Sequence, residues 1–279
     1  MSSERGSEHR TAHGWSGRVF VGVGRALYLG PSADTTLHDH HAIQIAVGID
    51  RKFQLRGGSG RPWESHDGII IPSNQLHQFD GSGADLLSVY IEPESDDGRR
   101  IEPAEPTGHY HEVPQAALRE LRAAVRDARR QPFGARLASQ LYGETLLELG
   151  FRVCPGPDLD RRLQRAIRAL RESPAGHRSV SDLSRSVGLS PRRFRDLFAE
   201  QIGMSCRRYV LWVRLYAAIR ETAGGASLTQ AALVAGFSDA AHLTRTFRRM
   251  FGIAPSAVSR SVSFFEETSS GRKPPGSAG

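Results

Sequence analysis

The chain has 279 residues, 39% hydrophobic and 24% charged, a length and balance that predict about two globular domains, each able to bury its own core. No apolar run approaches the ~18–20 residues that span a bilayer, the polar start MSSERGSEHR lacks the apolar core of a secretory signal, and Cys154 and Cys206 form neither a CxxC pair nor a disulfide framework. A reduced, cytoplasmic protein with no membrane partner is expected, and the net charge of +7 points to a polyanion instead.

That charge is unevenly placed. Between Asp158 and Arg260, 18 arginines face eight acids, a net +10, which leaves −3 for the rest of the chain. One half alone is therefore expected to meet a polyanion, although a solvated basic surface would give the same count.

Residues 1–16 are polar and read as a disordered N-terminus. From 17 to 112 the pattern is short, β-branched and punctuated by Gly and Pro, as in AIQIAVGI, GIII and DLLSVYIEP. Ile43, Ile45, Val47 and Ile49 alternate onto one face. Such strands predict a β-sandwich or small barrel. From 113 to 153 the period becomes helical, with Leu118, Leu121, Val125 and Ala128 in one stripe and Leu137, Leu141, Thr145 and Leu149 in a second. The break at QPFG makes the pair an antiparallel hairpin. Its stripe needs an apolar partner, either a second copy of the chain or the barrel, and the first makes a homodimer the expectation. CPGPDLD (154–160) reads as a linker, 154–260 as all helix, and 261–279 as a disordered tail.

The helical half repeats itself. SVSDLSRSVGLSPRRFRDLFAEQIGMS (179–205) and SLTQAALVAGFSDAAHLTRTFRRMFGIAP (227–255) each open with a capping signature, Ser179-x-x-Asp182 and Ser227-x-x-Gln230. Each short first helix ends at a glycine suited to a left-handed cap, Gly188 or Gly236. Leu189 or Phe237 then plugs the core, and Ser190-Pro191 or Ser238-Asp239 starts a second helix. Short helix, glycine turn, second helix describes a helix-turn-helix. In the second helices Phe194, Leu197, Phe198 and Ile202, and Leu243, Phe247 and Phe251, form buried stripes. Arg192 and Arg195, and Ala241, His242, Arg245 and Arg249, lie opposite, where an arginine fork can bridge guanine O6 and N7. The helix between the units, 206–222, spans about 25 Å, so the two second helices could enter successive major grooves about 34 Å apart.

GLSPRRFRDLFAEQIGMS followed by GFSDAAHLTRTFRRMFGIAP resembles the paired helix-turn-helix domain of AraC/XylS-type transcription regulators. The resemblance covers about 158–260. It implies base contacts from Arg192, Arg195 and Asp196 in the first unit and from Ala241, His242 and Arg245 in the second. Asp196 stands where a basic residue is frequent, and it either accepts from cytosine or holds Arg192 or Arg193 in place. Ser179, Ser190, Arg193, Ser227, Ser238 and Arg249 are the expected phosphate contacts. Cys206 and Val258 depart from the family's usual proline and aromatic.

In HDHHAIQIAVG (38–48), strand parity puts His38, His40 and Gln44 on one side and His41 on the other. With Gly68, Pro72 and His77 further on, HxHxxxQ resembles a cupin barrel in which Gln44 replaces the glutamate of metal-binding members. Three readings compete. The expected one is an effector pocket of His38, His40, Gln44 and His77 without metal. The others are a divalent metal held by His38, His40 and His77, and a structural cluster. The second HxH, in GHYHE (108–112), reads as surface.

The fold class that follows is α+β and multi-domain: an N-terminal cupin-like β-barrel (17–112) with a helical hairpin (113–153), and a C-terminal all-α double helix-turn-helix (154–260). The function expected is sequence-specific regulation of transcription through double-stranded DNA, in response to a small-molecule effector, with RNA polymerase as a candidate contact. No catalytic motif is present, so no enzyme is expected. The alternative is a metal-binding cupin acting as a metal sensor or a metal-dependent enzyme, which would need an open metal position but not two helix-turn-helix units.

Overall fold

The computed structural model describes residues 16–81, 83–101, 110–150, 158–176, 179–256 and 262–266. The N-terminal half contains β1 (Gly17–Gly22), β2 (Arg25–Pro31), β3 (Ile43–Gly48), β4 (Phe53–Arg56), β5 (Glu64–His66), β6 (Gly68–Ile71), β7 (Gln78–Asp80), β8 (Asp85–Ile91) and β9 (His111–Glu112). The hairpin is α1 (Gln115–Ala128) and α2 (Ala135–Glu148). The C-terminal half contains α3 (Arg161–Glu172), α4 (Val180–Ser186), α5 (Pro191–Ile202), α6 (Cys206–Ala223), α7 (Leu228–Val234) and α8 (Ala240–Phe251), followed by β10 (Val262–Glu266). The α+β class and the all-helical second half are as expected.

The barrel is not. The strands lie in two sheets, one ordered β10-β1-β2-β8-β3-β6-β9 and one ordered β5-β4-β7. The larger sheet does not close, and β10 and β9 are its two edge strands. On one side β1 pairs in parallel with β10, from Gly17 opposite Val262 to Val21 opposite Glu266. On the other, β9 supplies only two residues, His111 and Glu112, against β6. The β10 strand also corrects the expected disordered tail. Residues 262–266 leave the last helical unit and find an open strand edge on the first half. The N-terminal residues 1–15, the linker residues 154–157 with Cys154, Val258 and residues 267–279 lie outside the described residues.

The hairpin's apolar stripe faces the sheet. Leu118, Leu121, Val125, Leu137 and Leu141 share one core with Phe20, Leu27, Ile45, Val47 and Val89. The sheet therefore supplies the apolar partner from which a homodimer was expected, and Leu147 is the exposed large apolar side chain that the hairpin keeps. Ile45 and Val47 face this core while Ala46 faces the smaller one with Phe53 and Phe79, so the alternation in AIQIAVGI separates two cores.

The helical half is held by a third core that includes Phe194, Phe198, Tyr209, Trp212, Leu243 and Phe247. Truncating a fully buried ring such as Phe194 to alanine typically costs about 3–5 kcal/mol, enough to unfold its unit.

Candidate functional site

Local chemistry builds both helix-turn-helix units as the repeat suggests. Ser179 and Asp182, and Ser227 and Gln230, form complete capping boxes at the starts of α4 and α7. Gly188 and Gly236 take φ of +74° and +87°, a conformation costly for any residue with a Cβ. The amides of Leu189 and Phe237 then close back on Ser184 O and Ala232 O, each at 2.9 Å. Ser184 and Ala232 are fully buried where the helices cross. Ser190 caps α5 and Asp239 caps α8.

The two units present the expected side chains outward. Arg192, Arg193, Arg195 and Asp196 on α5, and Ala241, Arg245 and Arg249 on α8, are exposed. His242 is half-buried, with its ring 5.1 Å from Phe237 and Nδ1 3.2 Å from Ser238 Oγ, so part of the ring expected to face DNA is already engaged. Among the described ion pairs none joins Asp196 to an arginine, so the local role expected as one of its two, holding Arg192 or Arg193, finds no partner there. Ser179, Ser190, Ser227 and Ser238 are exposed, but each hydroxyl already caps or bonds a neighbour. Phosphate contact by these serines would share or exchange those bonds. Cys206 is buried at the first turn of α6, and burial pushes its thiol up to about 11; it is an inert core residue.

The histidines converge, but outside a regular strand. β3 starts only at Ile43, and His38 and His77 face each other as an isolated bridge, with both backbone hydrogen bonds formed (2.9 and 2.8 Å). One ring nitrogen from each of His38, His40 and His77 lies within 4.8 Å of the others. Their Nδ1 atoms donate to Thr36 O, Ala42 O and Gln75 O, all at 2.8 Å. In neutral rings this leaves each Nε2 with a lone pair. His40 Nε2 sits 2.9 Å from Gln44, whose amide then presents its NH2 group. His77 Nε2 is buried without a hydrogen-bond partner. Burial holds all three rings neutral. It pushes His38 down to about 3, with His40 adding repulsion, and lowers His40 and His77 as well. Three neutral, converging imidazoles with an orphaned acceptor fit a metal donor set.

His41 points the other way, into a polar junction between the two halves. Its Nε2 lies 2.7 Å from Glu94 Oε2. Tyr209 donates to Glu94 Oε1 at 2.6 Å and Trp212 Nε1 to Glu92 Oε1 at 2.7 Å. Arg171 on α3 bridges both carboxylates, bonding Glu92 and reaching Glu94 Oε1 at 3.0 Å. Burial raises Glu92, and the charge of Glu94 raises it further. Burial also pushes Glu94 up, but the His41 hydrogen bond and the His41 and Arg171 charges outweigh it and hold that carboxyl at about 2. Arg208 pairs with Asp39, and Tyr216 donates to Gly22 O. Thr36 donates from both N and Oγ1 to Gly252 O, the cap of α8, at 2.8 and 3.1 Å.

Between the halves lies a cavity of about 500 Å³. Val21, Leu27 and Tyr90 from the sheet, Trp212 and Leu215 from α6, and Phe247 from α8 give it mostly apolar walls. Glu92, Arg25, His38 and Gln44 add polar groups. Of the four expected effector-pocket residues, His38 and Gln44 line this space; His40 and His77 stand behind them and are not among its lining residues. The junction residues Glu92, Glu94, Arg171, Tyr209 and Trp212 were not anticipated. The one local signal was Glu-Pro-Glu at the end of β8, where two acids of equal parity leave a buried strand; their cationic partner is 77–79 residues away.

Residues 183–261 match the family model described as a helix-turn-helix domain. A stretch of 105 residues is 30% identical to an uncharacterized HTH-type transcriptional regulator of Haemophilus influenzae, covering 37% of this chain and 35% of that one. The HTH-type transcriptional regulator ExsA of Pseudomonas aeruginosa is 36% identical over 78 residues, 28% of each chain. The chain thus spans about a third of the length of the curated relatives it matches. The fold as a whole is similar to that of ToxT from Vibrio cholerae. An apo structure gives a TM-score of 0.60 at 8% identity over 85% of this chain and 97% of that one. A structure of ToxT with an unsaturated fatty acid bound gives 0.57 at 10% identity, over 85% and 95%. Residues 183–261 carry a helix-turn-helix domain, on a fold similar to that of ToxT whose N-terminal half is built of sheets.

Proposed function

We propose that the whole chain is a transcription regulator that binds double-stranded DNA sequence-specifically and changes that binding when a largely apolar small molecule enters the cavity between its halves. One observation carries this. The cavity wall combines the N-terminal sheet, the connecting helix α6 and Phe247 on the inner face of α8, whose outer face presents Arg245. A ligand seated there touches the sensor half and the back of a DNA-reading helix at once, the differential contact that an effector requires. The walls are chiefly apolar with a few polar groups, the usual character of a small-molecule site. The fatty acid reported on ToxT supports a ligand of that kind. The hairpin's stripe is covered by the sheet, so one chain per half-site suffices for this scheme, and contact with RNA polymerase would come through surfaces left exposed on DNA.

The test fills the space. Ala218 is buried on α6 and lines the cavity, so Ala218→Phe occupies part of it without touching any exposed recognition residue. Expected are loss of binding of an environment-sensitive apolar dye and a several-fold change in affinity for the preferred DNA site. An unaltered dye signal together with unaltered DNA affinity would remove the cavity from the scheme.

A further inference from the structure

We propose that His38, His40 and His77 form a binding site for a divalent transition-metal ion of the zinc class, placed so that its occupancy is felt at the C-terminal cap of α8. The cluster has the features of a built site. Every Nδ1–H is anchored on a backbone carbonyl, which fixes the tautomer and turns Nε2 inward, the second-shell arrangement that orients metal-bound histidines. His77 Nε2 has no other partner in a fully buried position. The cluster also has a way in, because His38 and Gln44 line the cavity. Gln44 or a cavity ligand could complete the coordination.

The donor set selects the ion. Imidazole suits Zn, Cu, Ni and Fe, whereas Mg and Ca want carboxylate and carbonyl oxygens. Gln44 leaves the ion's charge uncompensated within the cluster, and Asp39, next along the chain, is already paired with Arg208. Binding is therefore weaker than a carboxylate at this position would give.

Occupancy has a route to the DNA-binding half. Zn–N bonds of about 2.0–2.1 Å bring tetrahedral ligand atoms to roughly 3.4 Å of one another, so a cluster spread over as much as 4.8 Å contracts when an ion binds. His38 holds Thr36 O, and Thr36 holds Gly252 O. Gly252 sits so close that a Cβ there would lie 2.6 Å from His38 Nδ1. Phe251, the last residue of α8, lies with its ring centre 6.2 Å from that of His40. Movement of the cluster is thus coupled to the end of the second recognition helix.

The experiment uses full-length protein stripped with chelator, without DNA, so that its failure leaves the DNA-binding proposal standing. Co(II) alone is titrated in, followed by Zn(II). One equivalent of Co(II) should give visible ligand-field bands that Zn(II) displaces, and His77→Gln or His40→Gln should abolish them. Because those substitutions could disturb folding, Gln44→Glu provides a gain: the added carboxylate should raise Co(II) affinity at least tenfold. Amide exchange across residues 248–253 should slow on addition of Zn(II). Absence of stoichiometric Co(II) binding, bands that persist in a folded His77→Gln protein, or an affinity unchanged by Gln44→Glu would overturn the site. Exchange at 248–253 that ignores a bound ion would overturn the coupling.

Discussion

Trp212 on α6 donates its indole N–H to Glu92 Oε1 at 2.7 Å, and both residues also line the cavity between the halves. A molecule entering that cavity therefore meets the hydrogen bond that joins sheet to connecting helix. Removing it with Trp212→Phe leaves a buried carboxylate short of one donor. A hydrogen bond to a charged group contributes about 1.5–3 kcal/mol, and the loss should appear as easier separation of the halves. Limited proteolysis of the linker region should be faster than in the parent chain; equal rates would show that the bond does not restrain the junction.

Arg171 faces two buried carboxylates, Glu92 and Glu94. Arg171→Met keeps much of the aliphatic stem but removes the charge. Breaking a buried ion pair from one side typically costs about 3–5 kcal/mol. The urea midpoint should fall markedly, and Glu92→Gln in the same protein should restore part of it. A midpoint that does not move would mean water already compensates the pair.

On the DNA side, Arg245→Ala should weaken specific binding by ~1–3 kcal/mol and relax preference at one base position, while Arg249→Ala should weaken all sequences alike and flatten the salt dependence. Affinities measured for both variants on matched sites at two salt concentrations separate base reading from phosphate contact. Identical behaviour of the two would contradict the assignment.

The buried histidines also make stability depend on pH. His38, His40 and His77 are held below their ordinary value, His38 at about 3, whereas in the unfolded chain they ionise near 6.5. As pH falls below about 6.5 the unfolded state takes up protons that the folded state refuses, so stability is lost progressively toward pH 3. In metal-free protein the denaturation midpoint should be lower at pH 5 than at pH 7.5, with a shallower difference in His38→Gln. A midpoint independent of pH over that range would argue against neutral buried rings.

The helical half was legible because its signals are local. Capping pairs such as Ser227 and Gln230, the left-handed Gly236 and the stripe of Phe194, Leu197 and Phe198 each lie within a dozen residues, and α6 runs over Cys206–Ala223 where 206–222 is expected. The parity expected of a strand parts His38 and His40 from His41 as the structure does, although residues 39–42 lie outside any strand. What escaped was long-range. Nothing near Val262 announces that it will pair with Gly17, and the alternation of β3 is the same whether its sheet closes or stays open. The hairpin's stripe shows that it needs an apolar partner but not that the partner is its own sheet. Arg171, Tyr209 and Trp212 look like ordinary helix residues until Glu92 and Glu94 are brought to them.

In the proposed function both helix-turn-helix units read DNA sequence. Full-length protein should be challenged with a randomised double-stranded DNA library at moderate salt and the bound molecules sequenced. Two short preferred segments about one helical turn apart are expected, with the pattern in one segment relaxed by Arg245→Ala and in the other by Arg195→Ala. Recovery of no common sequence, or a single pattern indifferent to both substitutions, would contradict it.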